Sequence, residues 1–149
     1  MFVQKATLYD WQRDFLDRLR SIGEACRMDL EALWTAIIEQ NAQMLRSLFH
    51  QDASIHWHCS NEHFTVEEYI RANCEYPGKW RGNIERVESI GDLTILVGKI
   101  LSGDTNDSLH VVSFIRVRNN KIISMDKYYG DDGPPPPWRL AKNIGTPIL

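Results

Sequence analysis

Between Asp52 and Trp80 the hydrophobic pattern changes period, and that change limits the architectures open to the chain. Upstream of it, apolar residues recur at steps of three and four, the spacing of one helical face. From Ala53 to Cys59 they alternate, with β-branched and aromatic side chains, as a strand with one buried face requires. Downstream, four more alternating runs follow. Helices first and then a run of antiparallel strands is the pattern of an α+β domain, which places a pocket between its helices and its sheet.

The helical half has three parts. After Thr7, Leu8, Trp11, Phe15, Leu19, Ile22 and Cys26 share one face, which predicts a helix docked on its own domain or on a second subunit; a lipid-surface helix would carry more Lys and Arg. Asp29 is a candidate cap for a second helix, in which Leu30, Leu33, Trp34, Ile37 and Ile38 fit the i, i+3, i+4, i+7, i+8 template. A break near Asn41 precedes a short helix with Met44, Leu45, Leu48 and Phe49 on its inner face.

Past the first strand, Thr65 and Glu68 form a Thr-x-x-Glu capping box, with Phe64 and Tyr69 at the spacing of a hydrophobic staple; Pro77-Gly78 ends that helix. The later strands are predicted over 80–90, 93–101, 109–118 and 121–129. Gly91-Asp92, the 103–107 loop and Asn119-Asn120 separate them, residues suited to tight or left-handed turns. The run 130–139 contains four consecutive prolines, which impose an extended backbone. It is expected to pack on the domain with Trp138 as its anchor, although Pro134, Pro137 and Arg139 also fit a PxxPxR ligand pattern.

Composition narrows the function classes. A net charge of −3 with no basic stripe gives no footprint for nucleic acid. No apolar run reaches the roughly 18 residues of a membrane span. Three cysteines, Cys26, Cys59 and Cys74, have no paired spacing, and no segment has the parts of a signal peptide, so a reducing cytoplasm is expected. No cofactor motif is present.

The order of helices, the Asp-Ala-x-x-x-Trp strand after Leu48-Phe49-His50, the helix ending in Glu75-Tyr76-Pro77-Gly78 and the closing Lys121–Tyr129 strand resemble the nuclear transport factor 2-like superfamily, its SnoaL-like small proteins most of all. The resemblance covers 29–132 and leaves 1–28 as an extra N-terminal helix and 133–149 as a Pro-rich tail. It implies a curved antiparallel sheet forming a cone, closed by N-terminal helices, with a ligand cavity inside; many such proteins pair through the outer sheet face, so a homodimer is expected. It implies that Ile55, Trp57 and Cys59 face the cavity while His56 and His58 face away. On later strands Val111, Ser113 and Ile115, then Met125, Lys127 and Tyr129, face in.

The reactions of similar proteins do not transfer residue by residue. Trp57 stands where isomerase-like relatives place a general-base carboxylate, and Ser113 where they place an oxyanion-donating acid. Leu33 or Trp34 stands near their helical tyrosine. The epoxide hydrolase pattern would need Arg and Asp where this chain has Val111 and Ser113, and Asp at Lys127. What the resemblance leaves is a cavity lined by Trp34, Trp57 and Tyr129 with Ser113 and Lys127 as polar points. Such walls suit a small hydrophobic or aromatic molecule, and a lysine suits an acidic or enolic group on it. Lys127 is a candidate base or Schiff-base nucleophile if desolvated, its plainer reading being a surface lysine at the mouth of the cone. The function expected is an isomerase or cyclase of a carbonyl compound, with a non-catalytic binding or interaction module as the alternative.

Metal chemistry competes. His50, His56, His58 and His63 crowd one stretch beside Cys59 and Glu62, and His56-x-His58 puts two imidazoles on one strand face. Further ligands would have to come from loops, and a solvated histidine cluster is the plainer reading. Glu75 and Asp126 are candidate general acid or base groups if they reach the cavity, but Glu75 reads more plainly as a capping or salt-bridge residue and Asp126 has the wrong parity; Cys74 sits at a helix C-terminus, where the dipole disfavours a thiolate.

Overall fold

The computed structural model describes residues 29–149, so the helix expected after Thr7 and the 1–28 segment lie outside the described residues. Helix α1 (Leu30–Ile38) begins where expected: the Asp29 carboxylate accepts from Ala32 N at 2.9 Å, satisfying one orphan donor of the first turn. Leu30, Leu33, Trp34, Ala36 and Ile37 are its buried face. Gln40 takes a left-handed backbone, and Asn41 caps α2 (Ala42–Leu48) by accepting from Met44 N at 3.0 Å. Leu45 is fully buried, but Met44 is 41% exposed and belongs to the outer side of α2, not to its inner face.

The chain then runs directly into β1 (Phe49–Trp57), four residues earlier than its alternation indicates, because His50, Gln51 and Asp52 are all exposed and hide the period. A 3-10 turn over His58–Ser60 and the short β2 (Glu62–Phe64) follow; three residues are too few to show a period in sequence. Helix α3 (Val66–Cys74) has the expected capping box, with Thr65 N donating to Glu68 Oε2 at 2.8 Å and Glu68 N to Thr65 Oγ1 at 3.3 Å. Its face Val66, Tyr69 and Ile70 is buried, Tyr69 against Phe49 of β1.

The remaining strands are β3 (Trp80–Ile90), β4 (Leu93–Ser102), β5 (Ser108–Arg118) and β6 (Lys121–Asp131), within a residue or two of the expected runs. Together they form one six-stranded sheet in the order β2-β1-β6-β5-β4-β3. All neighbours are antiparallel except β1 and β6, which the helical connections bring together in parallel. Asn119 and Asn120 both have positive φ, 49° and 61°, the conformation a two-residue hairpin needs to match strand twist. A short helix α4 (Pro137–Ala141) ends the chain, its Trp138 58% exposed with the Arg139 guanidinium 5.8 Å from its ring. Trp138 is therefore not the buried anchor expected: more than half of it is exposed.

Alternation puts Ile84, Leu96, Val111, Ile115, Ile122 and Met125 on the inner face, beneath the helices. Trp34 reaches across from α1 to lie over Gly82 and Gly98. A Cβ on Gly98 would stand 2.2 Å from Trp34 Cη2, so only glycine lets the indole settle against the sheet.

Candidate functional site

The strand registers line up inward residues in rows across the sheet. Trp57, Lys127, Ser113 and Leu96 form one row over β1, β6, β5 and β4; Tyr129, Val111 and Gly98 form the next toward the rim; Asp131, Leu109 and Ile100 form the outermost. A pocket of about 420 Å³ opens over the outermost row, between the sheet and the ends of α1 and α3, with Tyr129 of the next row and Trp57 of the deepest also on its wall. Trp57, Trp80, Tyr129, Ile37, Ile100 and Leu109 make its apolar wall, with Tyr76 edge-on to Trp80 at 5.5 Å. Gln40, Asn73, Glu62 and Asp131 are the principal polar groups around it.

Hydrogen bonds hold this mouth in shape. Gln40 Nε2 donates to Asn73 O at 2.9 Å and to Tyr76 O at 2.8 Å, and Asn73 Nδ2 donates to Ile37 O at 3.1 Å, tying α1 to the end of α3. Opposite, the Cys59 thiol donates to Tyr129 O at 3.1 Å and accepts from Tyr129 N at 3.2 Å, fixing β6 to the 3-10 turn. Cys59 is exposed at the pocket rim, on the side the family resemblance implies, although it lies in the 3-10 turn and not on the strand.

Of the residues singled out from sequence, Trp57 and Tyr129 stand on the pocket wall, while Trp34, Ser113 and Lys127 are not among its lining residues. Trp34 fills the interior over the two glycines. Lys127 is 1% exposed, one row deeper, its Nζ 5.4 Å from the Tyr129 ring centroid and 5.6 Å from that of Tyr69. It is a buried residue, not a lysine at the cone's mouth. Among the described residues no carboxylate pairs with it, and burial pulls its amine down to about 7. Burial likewise raises the phenols of Tyr69 and Tyr129, keeping both as neutral donors, and it raises the Cys74 thiol. The Tyr69 hydroxyl and the indole N–H groups of Trp34, Trp57 and Trp80 are buried with no hydrogen-bond partner among the described residues. Each such donor costs about 1–3 kcal/mol, so this interior holds more polarity than packing needs.

Sequence reasoning did not find Gln40, Asn73, Tyr76 or Trp80. They come from helix ends, a turn and the first residue of a strand, where neither period applies; the Pro77-Gly78 break beside Trp80 is the one local signal.

On the opposite face, His56 and His58 point away from the pocket, as their parity implies, and meet Asp126 of the neighbouring strand. Asp126 Oδ1 lies 2.9 Å from His56 Nδ1 and 2.7 Å from His58 Nε2. Burial acts to raise the Asp126 carboxyl, but hydrogen bonds from His58 and His56 outweigh it and hold the group below its ordinary value. The third partner of the histidine pair therefore comes from a strand and not from a loop. Glu75 pairs with Arg71 one turn earlier, at 3.1 Å.

No family model matches the sequence, and no curated protein matches it. Solved structures do match. One is a nuclear transport factor 2-like protein of unknown function from Burkholderia xenovorans, 22% identical, with a TM-score of 0.67 over 90% of this chain and 98% of the other. The chain has the nuclear transport factor 2-like fold. A candidate ketosteroid isomerase from Kribbella flavida is 20% identical, with a TM-score of 0.67 over 80% of this chain and 87% of the other. A candidate SnoaL-like polyketide cyclase from a Jannaschia species is 15% identical, with a TM-score of 0.58 over 84% and 96%. The nuclear transport factor 2-like fold here is the α+β arrangement anticipated from sequence, N-terminal helices over a mostly antiparallel six-stranded sheet.

Proposed function

We propose that this protein binds a small hydrophobic or aromatic carbonyl compound in the mouth pocket and promotes its enolisation, the step shared by isomerisation and intramolecular cyclisation. The observation that carries this reading is the aromatic-walled pocket of about 420 Å³ lying directly above an interior of buried donors: the Lys127 amine, the Tyr69 hydroxyl and the Trp57 indole N–H. That volume is in the range that small-molecule sites occupy, with apolar walls and few polar groups. In this scheme the ring system of the ligand lies against Trp57, Trp80 and Tyr129. Its carbonyl oxygen turns toward Trp57, which of these three donor residues is the one on the pocket wall, and the sealed Lys127 and Tyr69 act on the developing charge through their field and not by contact. Glu62 and Asp131 supply a carboxylate to take the α-proton, and the C–H electron pair moves onto the oxygen.

Titration of untagged protein with 2-acetonaphthone, followed by tryptophan fluorescence, tests the binding; saturable quenching that is lost in Trp80→Ala is expected. Proton NMR in deuterated buffer tests the chemistry through loss of the acetyl methyl signal. Quenching without exchange would leave a ligand-binding module and refute catalysis, and no saturable quenching would refute the site.

We propose a homodimer as well. Ile95, Val97 and Val112 lie in adjacent register on the outer face of β4 and β5, and Arg86, Glu88 and Arg116 bound them with both signs of charge, so this part of the face can meet a copy of itself while the β1–β6 side of it stays uncovered. Light scattering coupled to size exclusion measures the state, and a monomeric mass would refute it. The free Cys59 and Cys74 support placing the protein in a reducing cytoplasm.

A further inference from the structure

We propose that His56, His58 and Asp126 form a mononuclear site for a divalent transition metal of the zinc class on the outer face of the sheet, on the side opposite the pocket. The three donors are convergent. One carboxylate oxygen of Asp126 faces His56 Nδ1 at 2.9 Å and His58 Nε2 at 2.7 Å, and the three ligand atoms all lie within 4.8 Å of one another. Backbone register sets the arrangement, because His56 and Asp126 are Cα partners in the β1–β6 pair and His58 follows His56 by two residues. The rings are also braced. His58 stacks on Tyr128 at 4.4 Å with an interplanar angle of 3°, and His56 packs against His63 at 4.9 Å.

Two imidazoles and one carboxylate are a donor set for zinc or its neighbours in the first transition row, in contrast to the all-oxygen shells of calcium and magnesium. Tetrahedral zinc with bonds of about 2.0–2.2 Å holds its ligands roughly 3.3–3.6 Å apart, so the two short hydrogen bonds need open by about 0.4–0.9 Å, and the two imidazole nitrogens, which lie within 4.8 Å of each other, need to adopt the same spacing to admit the ion. With side-chain exposures of 41%, 40% and 36%, the cluster is open enough for the ion to enter and for water to complete its shell. The ion would bridge β1 to β6 across the one parallel seam of the sheet.

The site is independent of what the pocket binds, and its test uses the metal alone. Untagged protein is stripped with EDTA, moved to chelator-free buffer, and titrated with ZnCl2 by calorimetry and with CoCl2 by visible absorption. The expected result is one ion per chain, with tetrahedral cobalt bands that zinc abolishes. Asp126→Asn and His58→Ala should each weaken binding at least tenfold, whereas His50→Ala and His110→Ala bind like the wild type. Imidazole NMR of the wild type provides a reading that does not depend on any variant folding, with zinc shifting the rings of His56 and His58. Equal affinity in Asp126→Asn and the wild type, or ring shifts centred on other histidines, would overturn the site.

Discussion

Replacing Lys127 with methionine should stabilise the protein near neutral pH, and the gain should vanish as the pH rises. Lys127 is 1% exposed with no carboxylate partner among the described residues, and burial takes its amine from 10.5 to about 7. Because the folded form holds the proton more weakly than the unfolded form, the unfolded chain binds more protons between those two values. Stability contributed by this group therefore rises with pH from about 7 to 10.5, at about 1.4 kcal/mol per pH unit, and is at its minimum below 7. The whole interval amounts to about 4–5 kcal/mol. Methionine removes that term but leaves a small void worth about 1 kcal/mol, so a net gain of about 3 kcal/mol is expected at pH 7. For a domain of this size that is an increase in Tm of about 10 °C. Urea denaturation of both proteins at several pH values isolates the effect, since groups common to both cancel in the difference. A destabilised Lys127→Met at pH 7, or a gain that persists undiminished at pH 10, would refute the desolvated amine.

Other substitutions follow from the packing. Gly98→Ala drives a methyl group into Trp34 and should cost about 1–3 kcal/mol in chemical denaturation, with Trp34→Phe in the same chain recovering part of it. Thr65→Ala removes the cap of α3 and should lower stability by about 1 kcal/mol, read as a shift in urea midpoint without a change in slope. Trp138→Ala should leave stability within about 0.5 kcal/mol, because the ring is already 58% exposed; a larger loss would mean the tail packs on the domain after all.

Features set by local chemistry were legible in the sequence. The Thr65–Glu68 capping box, the Asn119-Asn120 turn and the alternation of β5 each depend on residues a few positions apart, and each stands where its pattern places it. Alternation separates Trp57 from His56, and the family resemblance assigns Trp57 to the pocket side, where it stands. What sequence could not give was depth and long-range partnership. Lys127 and Tyr129 have the same parity, yet one is sealed and the other lines the pocket, because a row of the sheet separates them. Gly82 and Gly98 are visible as glycines, but that both make room for one tryptophan depends on the β3–β4 register and the approach of α1. Asp126 lies 70 positions from His56, and only the parallel pairing of β1 with β6 brings them together.

That pairing joins the chemistry of the two faces. On one side of the seam Trp57 pairs with Lys127 and turns toward the interior; on the other, His56 pairs with Asp126 and turns outward. A strand's side-chain period of two means that slipping β1 by one residue would bury the histidines and expose Trp57 and Ile55. Both faces therefore oppose the slip: Ile55 is fully buried and Trp57 packs on Phe64, Tyr69 and Tyr129, while the two imidazoles share one carboxylate. The Phe49–Ser54 irregularity, where the β1–β6 register shifts, lies at the far end of the strand. From Ser54 to Trp57 the pairing runs without a break, so the pocket wall and the histidine cluster depend on the same continuous register.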